Sequence, residues 1–580
     1  MTFCATTARS ALATGLAAIT ALALTTVEVR AETAKELVEE ALHREIYGDR
    51  GERDALLRRA ARLEPGNAAA MWHRGYVQTA DGWTPAIAPL ADAPQLAQYA
   101  QMREQAEDNV GGQLQLANWC RDQGLRDQQR AHLLRVVQHD PQHVEAHQRL
   151  GFRPVGGDWV AREEIEAAAE QRRTQAASLE RWKEQCEQWA EFLTHPSGRR
   201  RNLAARQLSE LDDRDAVYPI ERVLGTKSET TAQAAIEVLA RFQGQESTSA
   251  LIRLAVLSPW SSVRRAAVVQ LRHRDRDDYI PQMLAAMHTP ITARTVAYQS
   301  ARGEMVVRSA LEREGRDERE QLVLDSRQTA GIRREDVARE NLRSQNLNER
   351  IAAALNLATD QSLPDSPEVW WTWWNDENEV YAAGPKAVHS IRPGEQLARL
   401  DIQQQIEARL RAQEMAARIA EMSQNPRPRR HDCLAAGTVV WTSVGAIAVE
   451  EIAIGDMVLS QDVETGELTY KVVLQTTVRP ASTLVKIQVG DETIETSGGH
   501  PFWVAGEGWV KARDLKSGME LHTATGPARV GLVEQGAHAV SYNLVVDGLN
   551  TYFAGSRQIL THDNTVRRPT DAIVPGLRVE

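Results

Sequence analysis

His431-Asp432-Cys433-Leu434-Ala435-Ala436-Gly437-Thr438, followed by Val439-Val440-Trp441-Thr442, opens the last quarter of the chain. Directly before it, Asn425-Pro426-Arg427-Pro428-Arg429-Arg430 reads as an extended, exposed linker, because each proline removes a donor and holds its predecessor out of the helical region. Past the linker the composition changes. Thr438 to Thr442, Met457 to Ser460, Tyr470 to Val478, Leu484 to Val489 and Tyr542 to Val546 are rich in Val, Thr and aromatics, with Gly, Asp and Pro turns between them. Such runs predict an all-β domain of many short strands. Two later stretches carry reactive side chains: Thr496-Ser497-Gly498-Gly499-His500-Pro501-Phe502-Trp503, and Leu560-Thr561-His562-Asp563-Asn564-Thr565 at the domain's end.

Cys433 is a thiol at the first position of a domain, where its sulfur can reach the carbonyl before it. A thiolate is a strong nucleophile and its acyl product is activated, so the pattern points to acyl transfer. A histidine titrates near working pH and suits the proton transfer to the leaving amine, which singles out His500. In order along the chain stand the opening Cys433 with Gly437-Thr438, then Val449-Glu450-Glu451-Ile452 leading to Gly455-Asp456. The Gly-Gly-His-Pro-Phe segment, Tyr542-Asn543-Leu544-Val545-Val546 and the terminal His and Asn follow. Together these resemble the Hint fold shared by inteins, the hedgehog autoprocessing domain and bacterial proteins of the pretoxin Hint type.

The resemblance covers residues 431–565 and implies a self-acting reaction. Cys433 would convert the Asp432–Cys433 amide into a thioester, with His500 protonating the amine that leaves. The family holds the scissile amide with a Thr three residues before this His; Ser497 stands there, keeping the hydroxyl but not the methyl that locks its rotamer. In inteins a penultimate His assists cyclisation of a final Asn. His562, Asn564 and the Thr565 hydroxyl would be the corresponding groups, but Asp563 separates His562 from Asn564, a departure from the pattern. The Asp432 carboxylate is a further candidate to attack the activated carbonyl. This chemistry requires no cofactor.

Other readings of the same residues stand beside this one. Cys433 and His500 would also serve as a cysteine-protease dyad acting on other proteins. Cys433, His500, His522 and His562 are zinc-ligand types but show no CxxC or HxxxH spacing. The competing class is non-enzymatic: an exported repeat scaffold carrying an inert Hint fold, which the Ser497 and Asp563 departures favour.

Upstream the pattern is helical. Leu57 to Trp83 aligns with Leu133 to Trp159 at one constant offset, matching Pro65 with Pro141, Ala70 with Ala146, Gly75 with Gly151 and Trp83 with Trp159. The unit resembles the helix-turn-helix of tetratricopeptide repeats without their usual period. Gln233 to Leu239 returns as Arg265 to Leu271, with another amphipathic helix at Ala250 to Leu257, as in HEAT-type repeats. The expected order is a signal peptide (1–31), TPR-like repeats (32–180), HEAT-like repeats (181–300), a charged and Trp-rich helical connector (301–430), the Hint domain (431–565) and a short tail (566–580). The connector is read as helical from about Thr289 to Ser362 and again at Leu397 to Met422. Its Trp370-Trp371-Thr372-Trp373-Trp374 cluster reads as buried packing. Repeats of this kind stack into a solenoid and commonly hold a protein partner, though nothing identifies which.

Composition sets the outer limits. A chain of 580 residues is too long for one core. Its 68 Lys+Arg against 79 Asp+Glu give a net charge of −11, which argues against a dedicated nucleic-acid binder. Four cysteines rule out a disulfide scaffold, and Cys120 and Cys186 read as ordinary helix-face residues. The apolar Ala11 to Val27 run before Val29-Arg30-Ala31 has the form of a secretory signal, so an extracytoplasmic location is expected. No later run is long enough to span a bilayer.

Overall fold

The computed structural model describes residues 32–79, 82–87, 94–141, 143–155, 158–299, 305–314, 320–324, 334–378, 387–391, 433–565 and 567–578. The leader segment, the Leu397 to Met422 stretch, the Pro-Arg linker and Asp432 lie outside them.

The duplicated passage folds as one unit used twice. Helices α1 (Ala34–Ile46), α2 (Arg50–Leu63) and α3 (Ala68–Trp72) lead into a hairpin of β1 (Tyr76–Thr79) and β2 (Gly82–Pro85). After α4 (Pro94–Gln105), the order returns as α5 (Val110–Asp122), α6 (Arg126–His139), α7 (Val144–Arg149), β3 (Phe152–Val155) and β4 (Asp158–Ala161). Thr33 starts α1 with a capping box, its hydroxyl accepting from Glu36 N while the Glu36 carboxylate accepts from Thr33 N. The repeat therefore reaches further upstream than the sequence match, and its end is a β-hairpin where a turn is expected. Gly75 and Gly151, at φ +79° and +80°, make the left-handed step from short helix to strand in each copy.

A long helix, α8 (Arg162–Leu193), carries the chain into stacked helices at Gly198–Ser209, Glu229–Arg241, Gln245–Leu257, Ser261–Leu271 and Arg276–Ala285. Ile236, Leu239, Leu251, Leu254, Val268 and Leu271 face inward at helical spacing and form one core. Trp370, Trp371 and Trp374, on the helix Pro367–Glu377, are buried in that core. Their density reflects packing, as expected.

The connector departs from its helical reading. Strands β5 (Thr292–Gln299), β6 (Met305–Glu314), β7 (Glu320–Leu324) and β8 (Ala387–Ile391) form a sheet in that order, and among the described residues Arg334–Thr359 keeps the expected helix before Ser362. Charge there masks the β-branched and aromatic runs Thr295-Val296-Ala297-Tyr298 and Val306-Val307, of which Ala297 pairs with Val307 and Tyr298 with Val306 across β5 and β6.

The carboxy-terminal domain is mostly β. Its strands are β9 (Leu434–Ala435), β10 (Val439–Thr442), β11 (Gly445–Ala448), β12 (Met457–Gln461), β13 (Leu468–Val489), β14 (Glu492–Thr496) and β15 (Pro501–Val504). They continue as β16 (Gly508–Lys511), β17 (Glu520–Leu521), β18 (Ala528–Val546), β19 (Thr551–Ala554) and β20 (Ile559–His562). The sheet runs β11-β10-β12-β13-β14-β9-β18-β17-β15-β20-β19, and β19 pairs back onto β10 to close the path. Two expected strands, Tyr470 to Val478 and Leu484 to Val489, are halves of β13; Pro480 falls at a register shift against β18 that the missing donor tolerates. The short tail is also structured. Its hairpin, β21 (Ala572–Val574) with β22 (Leu577–Arg578), puts Val574 and Leu577 into a core with Leu37 and Leu42 of α1.

Candidate functional site

Strand β9 inserts between β14 and β18, pairing Leu434 with Thr496 and with Tyr542. Cys433, just before it, is therefore delivered to the middle of the sheet and is fully buried. Three hydrogen bonds fix its backbone. Its N–H donates to Ser497 Oγ at 3.0 Å, and its carbonyl accepts from Ser497 N and from Thr496 Oγ1, both at 2.8 Å. The Cys433 nitrogen is the nitrogen of the Asp432–Cys433 amide, so the Ser497 hydroxyl touches the bond singled out in the sequence.

The Ser497-Gly498-Gly499-His500 turn follows at once. His500 N donates back to Ser497 O at 3.1 Å, and two bonds from the next turn hold it: Ala512 N to His500 O at 2.8 Å and Arg513 N to Gly498 O at 3.0 Å. His500 is buried, with its ring edge-on to Phe502 at 5.2 Å. Its Nε2 lies 2.6 Å from Thr561 Oγ1, which also donates to the Pro501 carbonyl at 2.8 Å. A hydroxyl has one proton to give, and a carbonyl only accepts; Nε2 therefore carries the ring proton and Nδ1 is the basic nitrogen.

Side chains alternate along β20. Thr561 faces His500, so His562 faces the other way, edge-on to Trp509 at 5.2 Å, with Nδ1 2.9 Å from Asp563 O. The structure thus brings Cys433, Ser497 and His500 together, and turns His562 to the face of β20 opposite Thr561. Asn564 returns toward the first group: its N–H donates to Leu544 O at 2.9 Å and its Nδ2 to Thr477 Oγ1 at 3.3 Å. Thr477 pairs with Asn543, and the β9–β18 register carried one step beyond Leu434 sets Cys433 beside Asn543. Thr565 turns back on Asp563, donating N–H and Oγ1 to Asp563 Oδ1. The other Asp563 oxygen accepts from Val546 N at 2.8 Å. Burial pushes this carboxyl up to about 7, although the bonds from Thr565 and Val546 pull the other way.

Thr496, Thr561 and Asp563 were not among the sequence-predicted site residues. Thr496 lay next to a chosen residue, yet only the β9–β14 pairing reveals that its hydroxyl meets Cys433. His522, weighed as a zinc ligand, is buried elsewhere, bonded to Glu45 and, at 2.8 Å, to Gln461 Oε1. Among the described residues no group of three or more His, Cys, Asp or Glu could hold a metal ion. Cys120 and Cys186 are buried, and burial pushes both thiols up to about 12, outside the nucleophilic range.

Residues 439–567 match the family model of the Pretoxin HINT domain, and residues 187–272 match that of HEAT repeats. The carboxy-terminal part of the chain is a Hint domain. It is of the pretoxin type, and it follows a helical region that contains HEAT repeats. Among solved structures, the solution structure of a bacterial intein-like domain from Clostridium thermocellum is 34% identical, covering 23% of this chain and 98% of that one, with a TM-score of 0.22. A DnaB intein from Synechocystis sp. PCC 6803 is 13% identical, covering 23% of this chain and 99% of that one, with a TM-score of 0.21. No curated protein matches the chain.

Proposed function

We propose that the Hint domain breaks its own chain between Asp432 and Cys433. The observation that carries this reading is the bond from Cys433 N–H to Ser497 Oγ, made within a fully buried cluster that includes His500. Cys433 Sγ, as thiolate, attacks the carbonyl carbon of Asp432 and forms a C–S bond. The C–N bond breaks, and the nitrogen leaves as the α-amine of Cys433 after taking a proton. His500 Nδ1, the basic nitrogen, takes the proton that the Cys433 thiol gives up and passes it to that leaving nitrogen, with Thr561 fixing the ring through Nε2. Ser497 and Thr496 hold the amide and the following carbonyl still, so the attack costs little reorganisation. Water then adds to the thioester, giving a carboxylate on residue 432 and restoring the thiol. Asn564 and Thr565 are the groups available for a second break at the domain's end, and Asp563 Oδ1 already contacts the Thr565 nitrogen at 2.9 Å. His562, facing Trp509, serves that break through the Asp563 backbone rather than by direct contact with Cys433.

The rest of the chain fits an exported scaffold. The apolar leader segment supports secretion, and HEAT repeats are often protein-interaction scaffolds, which supports a protein partner on the helical half. No helix among the described residues is long and apolar enough to cross a membrane. Hydroxylamine tests the chemistry, since it captures a thioester as a hydroxamate. A hydroxamate on residue 432 in the wild type, absent from Cys433→Ala, is the expected result. Equal hydroxylamine cleavage of both proteins would remove the thioester, and the inert-scaffold reading would take its place.

A further inference from the structure

The proposed break falls between two parts of the chain that are packed into each other. Everything before residue 432 belongs to one product and everything from Cys433 onward to the other, yet their described residues share cores. Leu37, Ala41 and Leu42 of α1 are buried against Ala505, Val574 and Leu577 of the Hint side. Val77 and Ala86 are buried with Trp503, Phe553 and Leu560.

A buried polar knot also joins the two sides. The Glu45 carboxylate bonds His522 on one oxygen and Arg53 Nε on the other at 2.6 Å; Arg53 also reaches His73 O at 2.9 Å, and His522 reaches Gln461. Glu45, Arg53 and His522 are each at most 1% exposed. Burial opposes the Glu45 charge, but His522 and Arg53 hold its carboxyl down to about 2. Removing Glu45 while the two sides stay together would strand Arg53 and His522 in the buried seam, which is costly.

Helix α4, which joins the two repeats, grips a different edge. Tyr99 OH donates to Ile454 O at 3.3 Å and Arg103 Nη1 to Asp456 Oδ1 at 2.6 Å. Gly455 between those partners lets Tyr99 approach so closely that a Cβ there would fall 1.7 Å from its hydroxyl oxygen. A third grip comes from the tail and β16: Arg567 pairs with Asp277 on the helix Arg276–Ala285, and Lys511 Nζ donates to Asn378 Oδ1 at 2.9 Å.

We infer that cleavage nicks this protein without releasing either half: the amino-terminal part stays docked on the Hint domain as a two-chain complex with new ends at 432 and 433. This rests on the proposed self-cleavage only for where the natural cut falls. Shared apolar cores together with buried polar pairs are the features of a permanent interface, and the cut removes only the tether across it. The partner recognised by the helical surface is thus the chain's own Hint domain.

The test separates docking from cleavage. A site-specific protease sequence is inserted after Gln424 in full-length Cys433→Ala, which cannot process itself, and the purified protein is cut there. Size exclusion with light scattering at low micromolar concentration and neutral pH should give one species with the mass of the uncut chain, while a denaturing gel shows two bands. Two separate species, each with the mass of one fragment, would overturn the inference whatever the wild type does by itself. The same cut in a Glu45→Ala background should lower the urea concentration at which the halves part, and an unchanged value would remove the polar knot from the account.

Discussion

At the residue scale the site depends on two hydroxyls and one ring. His500→Ala removes the proton source and should slow cleavage by about 10²- to 10⁴-fold. Ser497→Ala, which leaves the Cys433 N–H without its acceptor, should slow it by about 10²-fold, and Ser497→Thr should keep it. The fragment fraction over time on a denaturing gel reads all three; an unchanged rate in Ser497→Ala would remove that side chain from the mechanism. Asp563 makes a separate prediction about pH. Its folded value, raised by burial to about 7, lies above the usual carboxylate range, so the folded state holds a proton that the unfolded chain gives up. The stability this contributes is full below about pH 4 and is lost as pH rises through about 7. Asp563→Asn cannot titrate and should flatten that part of the curve. Urea midpoints at several pH values between 4 and 8 measure it, and parallel curves for the two proteins would contradict the assignment.

At the scale of elements, β20 and the tail hairpin carry the consequences. Thr561 orients His500 and touches no reacting atom, which makes it a positioning residue. Thr561→Val should slow cleavage by roughly tenfold and shift its pH profile, because the ring loses the contact that fixes its proton on Nε2, while Thr561→Ser restores both. A slower rate with no pH shift would mean the hydroxyl matters only for packing. Arg567, buried on Asp277, ties the tail to the helix Arg276–Ala285. Arg567→Met keeps the stem but strands that carboxylate, and should cost about 3 kcal/mol in urea unfolding. Lys511, 3.8 Å from Asp277, keeps the loss at the lower end of the range for buried pairs. A loss under about 1 kcal/mol would show that the pair behaves as a surface bridge.

Much of this architecture was legible because local signals agreed. Cys433, Ser497 and His500 could be read as one group from a linker, a Gly-Gly turn and strand composition, and β9 and β14 bring them together. Three things were not legible. The connector's charged residues hid β5 and β6, whose pairing is set by tertiary partners rather than by periodicity. Thr496 and Thr561 act through strand register, which a single sequence does not display. The fifteen residues from Val566 to Glu580 resembled an appended tail because their partners, Leu37, Leu42 and Asp277, lie hundreds of positions away.

At the scale of the whole molecule, the helical half and the Hint domain form one packed body across the proposed cut. Polar groups pair across the seam, from buried Glu45 with His522 to half-buried Arg103 with Asp456. A break at 432 therefore changes connectivity more than shape, and denaturing conditions are needed to see it. The most direct test is the intact mass, under denaturing conditions, of wild type beside Cys433→Ala after incubation with dithiothreitol. Self-cleavage through a Cys433 thioester predicts, in the wild type alone, a piece of 148 residues that begins at Cys433 and weighs about 16 kDa of the chain's 64.5 kDa. A single uncleaved mass in both proteins would contradict the account and leave the chain as a repeat scaffold with an inert Hint domain.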